Sequence, residues 1–239
     1  MTTVAVIPAF NEQDALPLVL DELRSTGYAL TPLVVDDGSS DATAEVARAA
    51  GAVVLKLPFN LGYGGAKRAG LRWAVEKGAN RVVVIDADGQ HNPRDISVLL
   101  DELNKGNGLV IGSRFHSGSD RYDGAGATRR VAMRGIARMV RLTTGLHSTD
   151  ATSGFHAMSQ PVLRLLADDN PIEYLSDPVT SIYLVHVAGH RIAEVPVSMR
   201  ERVGGVPSAR NIRLIVSFLR LLVDLAGVVA VSRLKRRQS

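Results

Sequence analysis

Short β-branched runs alternate with helical patterns along most of the first half of this chain, and that alternation narrows its possible folds more than any other feature. Val4–Ile7, Leu33–Val35, Val53–Leu57, Val82–Ile85 and Leu109–Ile111 read as buried strands. Helix-like segments lie between them at Glu12–Ser25, Asp41–Ala50, Gly65–Lys77 and Pro93–Leu103. Ser40 and Asn92 are candidate N-caps, the latter with Pro93 at the first helical position. This β-α-β-α rhythm predicts an α/β fold: a mostly parallel, Rossmann-like sheet with helices on both faces. Ligands of such sheets bind at the carboxyl ends of the strands. Polar clusters follow three of the predicted strands, at Pro8–Glu12, Asp36–Asp41 and Asp86–Gln90. The second half is less regular. Thr128–Leu142 and Glu173–Val187 read as helical and Arg191–Val195 as a strand, while Gly204, Gly205, Pro207 and Ser208 mark Glu201–Arg210 as a loop. A long amphipathic helix is predicted from Ile212 to Leu234. The expected division is one α/β domain over residues 1–210 and an amphipathic helix with a basic tail over 211–239.

Composition excludes several functional classes. With no cysteine the chain has no disulfide, zinc–thiolate site or cysteine nucleophile. The net charge of +4 is unevenly placed. Residues 211–239 carry six basic side chains against Asp224, a net of +5, so the first 210 residues sum to −1. A nucleic-acid-binding domain would carry its basic stripe on the folded body, so nucleic acid is not expected as a partner. No signal-peptide pattern precedes Val4–Ile7, and the expectation is a cytoplasmic protein.

The segment Asp86-Ala87-Asp88-Gly89-Gln90-His91 follows a predicted strand and sets two carboxylates one residue apart, near an amide oxygen. Asp86, Asp88 and Gln90 are therefore candidate ligands for a hard cation, Mg²⁺ or Mn²⁺, which prefers oxygen donors and substrate phosphates. A solvated turn with helix-capping acids is the competing reading of this motif, and the same holds for Asp36–Asp41. Three acid-bearing clusters at one edge of one sheet favour a site.

The motifs IPAFNE (Ile7–Glu12), VVDDGSSDAT (Val34–Thr43), NLGYGGAKRAG (Asn60–Gly70), DADGQH (Asp86–His91), IGSRF (Ile111–Phe115) and TSGFHA (Thr152–Ala157) together resemble the family 2 inverting glycosyltransferases of GT-A fold. The resemblance is strongest to the dolichol- or polyprenyl-phosphate sugar synthase branch. It implies that Pro8, Phe10, Glu12, Val35 and Asp37 hold the base and ribose of a nucleotide diphosphate sugar. Asp86, Ala87 and Asp88 would meet its diphosphate, with Asp88 and Gln90 as metal ligands. It further implies that Arg114 contacts a phosphate of donor or acceptor, and that Arg202 belongs to a lid over the donor. The family usually has a lysine six residues after that arginine. Here the position is Ser208, with Arg210 nearby as a candidate substitute.

A phosphate acceptor is already an anion and needs cations rather than a base, whereas a hydroxyl acceptor needs a catalytic carboxylate. Arg130, Arg134, Arg138 and Arg141 form one stripe on the Thr128–Leu142 helix, and they read either as acceptor-phosphate contacts or as a solvated basic face. Asp177 is the candidate base for a hydroxyl acceptor. The processive-synthase signature Gln-x-x-Arg-Trp is absent, since the only tryptophan is Trp73. Leu214–Ser232 is long enough to span a bilayer, but Arg220 and Asp224 each cost about 2.5–3.5 kcal/mol on insertion. Arg213, Ser217, Arg220, Asp224 and Gly227 share one helical face, which fits a helix lying at a membrane interface or packed on protein.

The leading expectation is thus metal-dependent sugar transfer to a polyprenyl phosphate, with the protein peripheral on the cytoplasmic face of the membrane. A small integral-membrane partner and a homo-oligomer are both compatible with it. The alternatives are transfer to a soluble or protein hydroxyl, and an inactive nucleotide-sugar-binding scaffold for a membrane partner. GDP-mannose, UDP-glucose and UDP-N-acetylgalactosamine all remain open as donors.

Overall fold

The computed structural model describes residues 2–115, 135, 138, 140–141, 144–146, 148–169 and 176–202. The elements are β1 (Thr3–Ala9), α1 (Leu16–Ser25), β2 (Leu30–Asp36), α2 (Thr43–Ala49), β3 (Val53–Lys56), α3 (Gly62–Glu76) and β4 (Arg81–Val84). A 3₁₀ turn, Pro93–Asp95, then leads into α4 (Ile96–Asn104), followed by β5 (Leu109–Ser113), β6 (His156–Ser159), α5 (Gln160–Asp169), α6 (Ser176–Val187) and β7 (Ile192–Pro196). Among the described residues the strands form one seven-stranded sheet in the order β3-β2-β1-β4-β6-β5-β7. All pairings are parallel except those of β6, which runs antiparallel to both β4 and β5.

The sheet is covered on both faces, and the period of two in its strands sorts the side chains between them. Val4, Val6, Leu33, Val35, Val82 and Val84 pack with α3, α5 and α6. Ala5, Ile7, Val34, Val83 and Ile85 pack with α1, α2 and α4. Strands buried on both sides read as continuous apolar runs, which is why they were legible as strands. The strand β6 was not expected. His156-Ala157-Met158-Ser159 has no β-branched residue, and it pairs only because β4 and β5 leave a gap between them. The helix α5 was also not expected.

Several predicted boundaries move for identifiable reasons. The helix expected from Glu12 begins at Leu16, because the Glu12 and Gln13 N–H groups donate to Thr43 Oγ1 and Asp41 Oδ2. Ser40 does not cap α2. Asp41 accepts from the Thr43 N–H, while the Ser40 N–H donates to Asn11 Oδ1. Asn92 does cap, accepting from the Arg94 N–H. The helix expected from Gly65 begins at Gly62, because Asp37 caps it from another loop. The Thr128–Leu142 helix falls largely outside the described residues. Arg138 and Arg141 are exposed there, with Val140 between them buried. The lid expected beyond Arg202 and the 211–239 appendage lie wholly outside the described residues. No helix among the described residues is long and apolar enough to cross a membrane.

Candidate active site

Chain direction reverses in the strand order between β1 and β4, since β1 leads outward to β2 and β3 while β4 begins the other flank. A crevice opens at such a switch point beyond the carboxyl ends of the two strands. The loop after β1 brings Glu12 to this crevice and the loop after β4 brings Asp86 and Asp88. β6 is antiparallel, so it begins at the edge where its parallel neighbours end. Its preceding loop, Asp150–Gly154, therefore reaches the same crevice. That placement could not be read without the missed strand.

Arg202 closes the acidic corner. Its Nη2 lies 2.7 Å from Asp88 Oδ2 and its Nη1 lies 3.5 Å from Glu12 Oε1. The other Asp88 oxygen accepts from the Gln90 N–H at 2.9 Å. Glu12 Oε2 and Asp86 Oδ1 are buried without any hydrogen-bond partner. Burial pushes the Glu12 carboxyl up to about 7; Arg202 pulls it down, and the neighbouring Asp88 and Asp86 charges push it further up. Burial likewise raises Asp86 against the opposing pull of Arg114, and it raises Asp88 with the Asp86 charge adding to it. Three carboxyls crowd this corner, and one oxygen each of Glu12 and Asp86 lacks a hydrogen-bond partner despite the nearby Arg202, Arg114 and Lys67 charges. A hard divalent cation fits that donor set. Among the described residues no three acids or histidines converge as a ready-made metal cage. Mg²⁺ and Mn²⁺ take substrate phosphates to complete their coordination.

Other side chains hold the acids in place. The Asp86 N–H donates to His91 Nδ1 at 3.3 Å, which leaves the proton of the imidazole on Nε2. His91 stacks on Phe155 at 4.9 Å, and burial pushes it down to about 4, so it is neutral and structural. Gly154 lies against the Asp86 carboxyl. A Cβ there would sit 2.8 Å from the Tyr63 hydroxyl and 2.9 Å from Asp86 Oδ1. Arg200 anchors the following segment, with its N–H on the Gln90 carbonyl and its guanidinium 2.6 Å from Glu22.

The other expected residues divide sharply. Phe10 is 46% exposed at the carboxyl end of β1, and the Asp37 N–H donates to the adjacent Ala9 carbonyl. Asp37 itself accepts from the N–H groups of Leu61 and Gly62 at 2.7 and 2.8 Å, so the acid expected at the nucleobase also caps α3. Gly38 has a positive φ of 71° and packs on the backbone of Phe59, whose 63% exposed ring borders the same corner and was not singled out in the sequence. Pro8, Val35 and Ala87 are all buried, in β1, in β2 and just after β4. Arg114 is engaged within the fold. Its guanidinium is committed to Asp150, with Nε 2.5 Å from Oδ2 and Nη2 2.7 Å from Oδ1, and it also donates to Thr152 Oγ1. It organises the loop before β6, and its charge also acts on the Asp86 carboxyl in the crevice. Asp177 falls in the first turn of α6. Arg130, Arg134 and Ser208 lie outside the described residues.

A family model described as glycosyl transferase family 2 matches residues 4–166, about two thirds of the chain. The chain belongs to that family. An undecaprenyl-phosphate mannosyltransferase of Micrococcus luteus is 34% identical over 84% of this chain and 85% of its own. A polyprenol monophosphomannose synthase of Mycolicibacterium smegmatis is 32% identical over 88% and 83%. Among solved structures, glucosyl-3-phosphoglycerate synthase of Mycobacterium tuberculosis, in complex with Mn²⁺, UDP and phosphoglyceric acid, superposes with a TM-score of 0.74. It covers 95% of this chain and 78% of that one at 22% identity, a likeness of fold. The GT-A architecture and glycosyltransferase activity expected from the motifs therefore hold for this family 2 chain.

Proposed function

We propose that this glycosyltransferase moves a sugar from a nucleotide diphosphate sugar onto a polyprenyl phosphate at a membrane surface, with inversion at the anomeric carbon. Its similarity over more than four fifths of both chains to enzymes named for polyprenyl-phosphate acceptors carries this reading. The acidic corner at the β1–β4 switch point supports it. Phe10 and Asp37 sit on the β1–β2 side, where the base and ribose would lie, and Asp86 and Asp88 sit where the diphosphate would lie. Asp88, with Asp86 and Gln90, would hold Mg²⁺ or Mn²⁺, which when bound neutralises charge on the departing diphosphate. Arg202, shared between Glu12 and Asp88, can turn to the diphosphate once those acids are otherwise neutralised. The acceptor phosphate oxygen bonds to the anomeric carbon as the bond from that carbon to the diphosphate breaks. That oxygen is already anionic, so no side chain need remove a proton.

Two of the relatives are named for mannose, which makes GDP-mannose the donor to try first. With undecaprenyl phosphate, GDP-mannose, UDP-glucose and UDP-N-acetylgalactosamine as substrates and Mn²⁺ present, chromatography should show a lipid-linked sugar phosphate from one donor. Donor hydrolysis without any lipid product would overturn the reading.

Asp37→Ala should weaken nucleotide binding by about 1–3 kcal/mol through loss of a hydrogen bond to the base. It should also lower stability by about 0.5–2 kcal/mol, because the Leu61 N–H at the start of α3 loses its acceptor and the Gly62 N–H keeps only Asn60 Oδ1. Calorimetry with GDP and UDP, run beside thermal melts, separates the two effects. A fall in stability with unchanged affinity would leave Asp37 as a helix cap only.

The 211–239 appendage is assigned to shallow docking at the lipid interface, on the strength of its aligned polar face and its charge of +5. Removing residues 212–239 should leave nucleotide affinity nearly unchanged and greatly reduce transfer to a long-chain polyprenyl phosphate in anionic vesicles. Transfer to a short soluble analogue should fall less. Docking should weaken with salt, since exposed charges are screened beyond about 8–10 Å. Equal loss on both acceptors would reassign the helix to folding or oligomerisation.

A further inference from the structure

We propose that Tyr63 is a positioning residue for the reaction: its hydroxyl holds the Asp86 carboxyl in the orientation that meets the donor's diphosphate and cation. This rests on the donor reading above, and it gives a task to the Asn60–Gly70 motif, which that reading left without one. The motif forms the start of α3. Asp37 fixes the first N–H groups of this helix, those of Leu61 and Gly62. One residue further on, the half-buried Tyr63 extends its hydroxyl across the crevice to the loop before β6, where it donates to the Gly154 carbonyl at 3.4 Å. The same hydroxyl faces the Asp86 carboxyl and pulls it down against the effect of burial. Both groups crowd the same point on Gly154, since a Cβ there would fall within 2.9 Å of the hydroxyl and of Asp86 Oδ1. A glycine at 154 is what allows tyrosine and aspartate to meet.

The same face of the helix adds charge. Lys67 lies one turn after Tyr63, at the i+4 position, and is 1% exposed. Its ammonium donates to Ser181 Oγ at 3.3 Å and acts through space on Asp86. His156, on the same side of the sheet, is kept neutral by burial and by that ammonium, so it adds no charge to this face. Helix α3 is thus tied at its first turn to the acid on the base side and touches the acid on the diphosphate side. A rigid element with a locked rotamer holds a reacting constellation more closely than a loop does. Tyr63 is therefore the mechanical link between the two halves of the donor site.

The test is Tyr63→Phe, which keeps the ring and its packing and deletes only the hydroxyl. Affinity for GDP and UDP in the presence of Mn²⁺, read by calorimetry, should fall about tenfold or more, as for loss of a hydrogen bond to a charged group. Affinity for the matching nucleoside monophosphates without metal should stay within about twofold, the spread of independent sites. The melting temperature should be nearly unchanged. In an Asp86→Asn background the same substitution should produce no further loss, because the group it acts through is already altered. Equal weakening of monophosphate binding, or the same loss in the Asp86→Asn background, would overturn the positioning role. So would unchanged Mn²⁺-dependent affinity in Tyr63→Phe. Failure of the unaltered protein to bind any nucleoside diphosphate with Mn²⁺ would instead overturn the donor reading and remove this role with it.

Discussion

Asp88→Ala should abolish sugar transfer and Mn²⁺-dependent nucleotide binding while leaving the protein folded. Asp88 is the acid on which the corner converges: its two oxygens face Arg202 and the Gln90 N–H, and its side chain is 7% exposed. Loss of a metal ligand removes several kcal/mol of charge stabilisation at the leaving diphosphate. A loss of about 4 kcal/mol is about a thousandfold in rate. Stability should not follow activity down. Burial and Asp86 raise the Asp88 carboxyl above its ordinary value. An acid raised in this way has its charged form disfavoured by the fold, so the stability it allows at low pH is lost as pH rises through the folded value. At neutral pH its removal relieves crowding with Glu12 and Asp86 even as the Arg202 contact goes. Transfer assays over a Mn²⁺ titration, with melts of the ligand-free protein, check both halves. Metal-independent transfer at the unaltered rate would sink the metal assignment, and collapse of the melt would make Asp88 structural.

Arg114→Ala should be the most destabilising single change at the site. Its partner Asp150 is fully buried, and it accepts the Arg114 N–H at 3.1 Å as well as the two guanidinium contacts. Removing the arginine leaves a buried carboxylate without its counter-ion, a change that costs about 3–5 kcal/mol. The loop from Asp150 to Gly154 should then loosen from the crevice edge, and transfer should fall with it. Denaturant titration measures the first effect. The companion variant Arg114→Ala/Asp150→Ala separates the two roles, because deleting both charges should recover most of the stability. If activity stays lost when stability returns, Arg114 has a direct part with phosphate beyond holding the loop. If activity returns too, it acts through Asp150 alone.

Much of the fold was readable because its strands are buried on both faces, and β-branched runs such as Val82–Ile85 carry that signature in one dimension. The acids were readable because Glu12, Asp37, Asp86 and Asp88 directly follow such runs, and the order of the motifs supplied the family. The failures have a common cause. Glu12 was placed in a helix because nothing near it shows that Thr43 and Asp41 take up the loop N–H groups. The Arg114–Asp150 pair was not foreseen because Asp150 lies 36 positions away. Tyr63 and Lys67 were passed over because an aromatic and a lysine on an amphipathic helix carry no local mark of function.

The sequence by itself determined the sheet-and-helix rhythm, the acids at the strand ends, the family and the separation of a near-neutral body from a basic tail. All of these depend on neighbours in the chain, through side-chain period and local composition. The tertiary structure alone decided which ends meet. It set the antiparallel β6 between β4 and β5, and it put the Gly154 loop beside Asp86. It also joined Tyr63 to a carbonyl 91 positions away and Arg202 to Glu12 across 190. Such contacts follow from strand order and from the direction of one short strand. Both are selected by the packing of the whole sheet, and no window of sequence contains them.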